Sequence, residues 1–500
     1  MKGSRTNIST GPAGRPWRFD LVLDGGASVP RQTQLSRAIV QEIQRGRLLP
    51  GSTLPGSRTL ADQLNVNRKV VVAAVGDLVA QGWLEALPAR GTRVALNLPT
   101  LAVADAEGRR SVEAAIAERR PAVIAVSDGV PDARIAPVDA VARAQRRALR
   151  ALARTGLGYG DAAGDPVLRD VLAGFVNHAR GLSCSSAEVV LTRGSQGALS
   201  LFALAILEPG DVVAAEHPGY APAWRAFQLA RAEVVHVPVD ADGLRTDELE
   251  AHARRLKGRL KAVYVTPHHQ YPTTVAMSAE RRMHLRRICE SFRLYIVEDD
   301  YDYEYHFEGA PLLPLSATKD LSSRCIYIAS LSKLIAPAIR LGYIIADRSV
   351  VARLRAVREL LDRQGDVVLE RAVAELIEDG EVQRHARRAR QLYRQRRDHL
   401  LEQLASRSPL RAAIACDPPD GGLALWMRLR SLTSEELVER AHARSLALTP
   451  GSAHVAAGSV PAFRFGFAAH TSEELSRICD ALEACLSPDA SRREAAKRRR

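Results

Sequence analysis

Between residues 188 and 347 one pattern recurs seven times. A short run rich in β-branched residues is followed by a stretch with helical spacing, the runs being EVVLT, DVVAAE, EVVHVPV, AVYVTP, YIVEDD, CIYIA and GYIIAD. Strand alternating with helix predicts an α/β domain around a mostly parallel sheet. Binding sites in such sheets lie beyond the carboxyl ends of the strands. The residues just after each run are therefore the candidates for chemistry.

CIYIA delivers Ser330-Leu331-Ser332-Lys333 into a loop, with Arg340 seven residues beyond the lysine. A lysine bracketed by buried strands is desolvated, which lowers its pKa and makes the amine nucleophilic. Hydroxyls and a guanidinium beside it suit a phosphate dianion. A Schiff-base lysine next to a phosphate grip is what pyridoxal 5′-phosphate needs. A solvated loop lysine is the plain alternative. The same string also fits S-x-x-K of the β-lactamases, but the chain has no partner motif such as K-T-G.

The other strand ends add to this site. Arg193-Gly194-Ser195-Gln196-Gly197 opens a helix, where free N–H groups and the positive dipole end suit a phosphate. His217-Pro218-Gly219-Tyr220 can present a ring to stack on a flat cofactor. His268-His269-Gln270-Tyr271-Pro272-Thr273-Thr274 follows AVYVTP. Asp299-Asp300-Tyr301-Asp302-Tyr303 follows YIVE. A carboxylate there can hold a pyridinium nitrogen protonated, and a nearby phenol can bond the 3-oxygen. A solvated loop, or a metal site near His306, is the alternative for that acidic stretch.

The N-terminal part has a different character. Leu35, Ile39, Ile43 and Leu48 predict a first helix ending near Arg45-Gly46. Ser57 can cap a second helix carrying Leu60, Ala61 and Leu64, and Asn67 can cap a third over about 68–80 that Gly82 stops. WLEALPARGTRVAL then reads as two strands joined by Pro88-Ala89-Arg90-Gly91. This is the order of a winged helix-turn-helix. It puts Asn67, Arg68 and Lys69 on the first turn of a recognition helix, Arg58 where a guanidinium can grip a phosphate, and Arg90, Gly91 and Thr92 at a wing tip. The alternative is a small helical domain with a solvated basic face.

The charge supports the division. The chain has 70 Lys+Arg against 57 Asp+Glu; residues 1–100 hold 13 basic and 6 acidic side chains, and 491–500 hold 6 and 1. The excess sits at the two ends, which suggests a polyanion partner for the N-terminal domain and a solvated basic tail. The six cysteines are scattered without a C-x-x-C pair, so neither a zinc site nor a disulfide framework is expected. No apolar run matches a membrane span and the N-terminus has no apolar signal core, so the expected place is the cytoplasm.

Two resemblances emerge from these strings. RGRLLPGSTLPGSRTLADQLNVNRKVV and GWLEALPARGTRV resemble the GntR family of bacterial repressors, with Gly56, Asn67 and Val70 departing from the usual residues. SDGVPDARIAPVDA, LGYGDAAGDPVLRDVLA, EHPGYAPAWRAF, TPHHQYPTT, VEDDYDYEY, SLSKLIAPAIRLGY and RFGFA resemble the fold-type I aminotransferases. The whole chain is similar to the MocR subfamily, where the two are fused. Composition and charge predict a disordered stretch over 1–27, a linker over 97–123 and a basic tail over 487–500; the resemblance implies a winged helix over 28–96 and an aminotransferase-like domain over 124–486 with its small α+β subdomain from about 349. It implies that Lys333 binds the cofactor and acts as the catalytic lysine. Asp299 would pair with the pyridine nitrogen, Tyr301 would bond the 3-oxygen, and Tyr220 would stack on the ring. Ser195, Gln196, Ser330, Ser332 and Arg340 would hold the phosphate, and Tyr159 would reach the phosphate of a second subunit in a homodimer. Tyr271 stands at the cofactor where aminotransferases carry asparagine, and Arg464 would receive an effector carboxylate. Thr274 replaces a usual glycine, and Pro222 stands where some relatives have an effector-binding arginine. The function implied is a transcriptional regulator that binds operator DNA and senses the cofactor or an amine effector. A working aminotransferase that also binds DNA, and a DNA-binding protein with a cofactor-free second domain, are the alternatives.

Overall fold

The computed structural model describes residues 29–87, 91–98, 124–126, 128–309, 312–317 and 324–486. The expected N-terminal disorder over 1–27, the tail over 487–500, Arg90 and nearly all of the linker lie outside these residues. The chain divides into two compact units, Met1–Arg119 and Arg120–Arg500.

The first unit contains α1 (Arg31–Gln44), α2 (Ser57–Leu64) and α3 (Arg68–Ala80), then a hairpin of β1 (Leu84–Leu87) and β2 (Gly91–Val94). Leu35, Ile39, Ile43, Leu60, Val71, Ala74, Leu78, Trp83 and Val94 form its core. Asn65 takes the left-handed conformation that ends α2, which asparagine tolerates better than most residues. Asn67 caps α3 by accepting from the Lys69 N–H at 2.9 Å. Ser57 is not the cap of α2: Gly56 occupies that position without a side-chain bond, and the Ser57 hydroxyl accepts from Arg68 Nε at 3.2 Å.

The second unit is built on a mixed eight-stranded sheet. Its strands are β4 (Val189–Thr192), β5 (Val212–His217), β6 (Glu233–Asp240), β7 (Gly243–Leu244), β8 (Leu260–Val265), β9 (Tyr295–Asp300), β10 (Cys325–Ser330) and β11 (Gly342–Ile345). The order is β4-β11-β10-β9-β8-β5-β6-β7, with β11 antiparallel to both its neighbours and β7 antiparallel to β6. Both faces are covered. Val190, Ile326, Ile328 and Ile344 pack under the helix Gly194–Ile206. The alternate positions Val189, Leu191, Tyr327 and Tyr343 pack under Pro166–Arg180 and Val367–Glu378. That two-sided burial is why these strands are nearly continuous apolar runs.

A smaller core gathers around the antiparallel sheet β12 (Ile414–Ala415), β13 (Ala424–Leu429) and β15 (Ala462–Gly466), with the helices Glu381–Ser406 and Ser472–Leu486. The short strand β3 (Ile124–Ala125) pairs in parallel with β14 (Leu446–Ala447), so the segment before the large sheet is anchored to this small core. The helices Arg348–Leu361 and Val367–Glu378, which follow the expected start of the small subdomain, bury their apolar side chains against the large sheet. The arginine-rich helix Glu381–Ser406 is not solvated throughout. Arg396 pairs with Asp132 and Arg397 with Glu308, and both arginines are buried. Among the described residues no helix is long and apolar enough to cross a membrane.

Candidate functional site

Strands β4, β5, β8, β9 and β10 all run in one direction, so their carboxyl ends share one edge of the sheet. Ser330 is the last residue of β10, and Leu331–Leu334 forms one helical turn rather than an open loop. That turn holds Lys333 with its Nζ donating to the Gly129 carbonyl at 3.1 Å. Burial and the nearby Arg464 charge lower the amine to about 8, against the pull of Asp302, Asp299 and Asp128. A substantial neutral fraction near physiological pH follows, which is what a nucleophilic lysine requires.

Asp299 stands near the end of the neighbouring strand β9. Its Oδ2 accepts from the Tyr264 hydroxyl at 3.0 Å, while Oδ1 is buried without a partner among the described residues. Burial pushes this carboxyl up to about 7, and the Tyr264 bond opposes the rise. A buried acceptor with nothing to accept is rare, and it marks a place where a donor is missing. The Tyr301 hydroxyl donates to the His269 carbonyl at 2.8 Å and receives Arg464 Nη2 at 3.3 Å. Tyr220 meets Tyr271 edge to face, with ring centroids 5.1 Å apart. Burial drives the Tyr220 hydroxyl up to about 12, so the ring remains neutral.

The residues expected to hold a phosphate stand at neighbouring strand ends. Ser195 and Gln196 occupy the first turn of Gly194–Ile206, and Gln196 Nε2 donates to the Pro222 carbonyl at 3.1 Å. Arg340 is exposed, takes φ 49°, and donates through Nη2 to the Arg193 carbonyl at 3.3 Å. A side chain at Gly194 would put its Cβ 3.0 Å from Arg340 Nη2, so the bare backbone there keeps the guanidinium against the helix start. Ser332 is buried, its hydroxyl 3.4 Å from the Leu341 carbonyl.

Arg464, on β15 of the small core, is 1% exposed. It donates to the carbonyls of Asp128 (2.9 Å) and Pro272 (2.7 Å), and its guanidinium carbon lies 4.6 Å from the Tyr271 ring centroid. Thr274 adopts φ 65°, a left-handed conformation that suits the glycine it replaces better than a β-branched residue. Tyr159 is not gathered with these residues. It is 79% exposed, with the Arg363 guanidinium 4.3 Å from its ring, in a hollow that also includes Arg355 and Glu359. In the first unit Arg58, Asn67, Arg68, Lys69 and Gly91 are exposed and Thr92 is half-buried.

Sequence reasoning missed Tyr264, Gly129, Asp128 and His269. Tyr264 is a phenol inside an apolar strand run, which is the one signal that could have raised it. The Gly129 carbonyl and the His269 carbonyl carry no side-chain signal at all.

Comparison with known proteins identifies the family of both units. The aminotransferase class I and II family matches residues 123–482, and the bacterial regulatory proteins of the gntR family match 31–94. The probable rhizopine catabolism regulatory protein MocR of Rhizobium meliloti is 30% identical over 433 residues, covering 84% of this chain and 86% of that protein. The pyridoxine biosynthesis transcriptional regulator PdxR of Corynebacterium glutamicum is 30% identical over 414 residues, covering 81% and 87%. The crystal structure of the multiple substrate aminotransferase from Thermococcus profundus superposes with TM-score 0.69 at 26% identity, covering 78% of this chain and 96% of that one. The chain belongs to the MocR type of GntR-family transcriptional regulators, in which a DNA-binding winged helix-turn-helix is joined to a fold of the pyridoxal-phosphate-dependent aminotransferases.

Proposed function

We propose that the second unit binds pyridoxal 5′-phosphate at Lys333 and an amine effector beside it, and that this occupancy governs how the winged helix engages operator DNA in the cytoplasm. The buried, unpartnered Oδ1 of Asp299 carries the reading, because a protonated ring nitrogen is the donor it lacks. When bound, the cofactor supplies an aldehyde that joins an amine and a ring that draws electrons from the joined carbon. Lys333, held by the Gly129 carbonyl, would offer the amine. Asp299 would keep the ring nitrogen protonated, Tyr301 would bond the 3-oxygen, and Tyr220 and Tyr271 would wall the ring. Ser195, Gln196, Ser330, Ser332 and Arg340 would hold the phosphate. Arg464, whose hydrogen-bond acceptors are all uncharged, would receive a carboxylate. The exposure of Tyr159 suits a homodimer in which it reaches the phosphate held by a second copy.

On DNA, Asn67, Arg68 and Lys69 would meet the major groove, with Arg58 on the backbone and Arg90, Gly91 and Thr92 at the wing. Replacing Lys333 by alanine should abolish the visible absorbance of protein incubated with the cofactor, while circular dichroism stays native. A variant that keeps the wild-type absorbance would refute the site. A working aminotransferase is the second reading, favoured by the coexistence of Lys333, Asp299 and Arg464 in one cleft. Regeneration of the cofactor by a keto acid after one turnover would support it.

A further inference from the structure

Resting on that reading, the cleft shows what kind of amine it is built to hold. Arg464 is its cationic pole and forms no ion pair among the described residues; two carbonyls and the Tyr301 hydroxyl are its hydrogen-bond acceptors. A second pole lies close by, and Tyr271 touches both. The guanidinium lies over the Tyr271 ring, and the phenol hydroxyl at the ring's far end reaches Asp128 Oδ2 at 3.4 Å. Asp128 Oδ1 is buried and has no partner among the described residues. The two poles are tied to one short segment, since Arg464 Nε bonds the backbone carbonyl of Asp128 itself and Lys333 Nζ bonds that of Gly129.

Tyr271, whose hydroxyl reaches Asp128, belongs to an aromatic cluster. Tyr271 meets Tyr220 at 5.1 Å and His454 at 5.4 Å, and His454 meets Trp426 at 5.7 Å. A carboxylate beside an aromatic cluster is a good receptor for an ammonium group, which gains from the charge and from the rings together. A simple amino acid gives its carboxylate to Arg464 and its amine to the cofactor, and leaves Asp128 Oδ1 unanswered. A side-chain carboxylate would be repelled there.

We infer that the effector is a diamino carboxylate, an amino acid with a second ammonium on its side chain, and that Asp128 selects it. The Asp128 oxygen without a partner among the described residues accepts that ammonium, while Arg464 takes the carboxylate.

The test uses the full chain loaded with pyridoxal 5′-phosphate. L-ornithine, L-lysine, L-norleucine and L-glutamate are each titrated while the change in visible absorbance is followed. Ornithine or lysine should bind at least about tenfold more tightly than norleucine, the effect of one charge-assisted hydrogen bond, and glutamate most weakly. Asp128→Asn should bring the lysine-to-norleucine ratio to within about twofold of unity. Equal affinity for norleucine and both diamino acids in the wild type overturns the role of Asp128 while amine binding stands. So does a preference that survives in the variant. A chromophore that no amino acid perturbs overturns the amine-binding reading itself, and this inference with it.

Discussion

Replacing Tyr264 by phenylalanine tests the link between strand chemistry and cofactor capture. The phenol donates to Asp299 Oδ2 at 3.0 Å, and the other carboxylate oxygen has no protein donor. A hydrogen bond to a charged group is worth ~1.5–3 kcal/mol, and one pH unit of pKa corresponds to about 1.36 kcal/mol. Losing the bond should therefore raise the Asp299 carboxyl by roughly 1–2 pH units. It already stands at about 7, so at pH 7.5 the variant's carboxyl is mostly neutral and cannot hold a protonated ring nitrogen. Cofactor affinity at pH 7.5 should fall roughly 3–25-fold, the ratio of the ionised fractions, and recover in part toward pH 9. Phenylalanine keeps the edge contact of residue 264 with Phe227, whose ring centroid is 5.8 Å away, so the fold is retained. The assay is titration of cofactor-free protein with pyridoxal phosphate at pH 7.5, 8 and 9, read by absorbance. Equal dissociation constants for variant and wild type at every pH would refute the reasoning.

Asp299→Asn should stabilise the cofactor-free protein above pH 7. The wild-type carboxyl is raised from 3.8 to about 7, so the folded state binds more protons across that window and loses stability as pH rises through it. Calorimetry at pH 5 and 8 should show a smaller drop in Tm for the variant, and an unchanged drop would contradict the burial argument. Thr274→Gly should gain ~1 kcal/mol by relieving a left-handed β-branched residue, read as a higher denaturant midpoint. Arg58→Ala should weaken cognate and unrelated duplexes alike and lower the salt slope of binding by about one, whereas a loss confined to the cognate duplex would make Arg58 a base reader.

The parts of the site that could be read from the sequence are those that parallel topology collects without help. Once β5, β8, β9 and β10 run the same way, the residues after them must share an edge. Tyr220, Tyr271, Asp299 and Lys333 could thus be grouped before any contact was known, and Ser195 after β4 joins them for the same reason. The helix-turn-helix was legible because its signals are local: a cap at Asn67, a stop at Gly82, apolar spacing between. The two-residue strand β3 offers too little pattern to announce its partner β14 more than 300 residues away. Tyr264 and Asp299 lie on different strands, so their bond has no spacing to betray it. Arg464 and Asp128 come from β15 and from the segment after β3, both tied to the small core, and they enter the cleft only because that core folds against the strand ends. On the proposed function, the large sheet would bring the cofactor chemistry, which repeats along the chain, while the small core would bring the groups that choose a ligand. A change of effector among such proteins should accordingly fall on the segment around Asp128 and the Tyr271 loop more than on the strand ends.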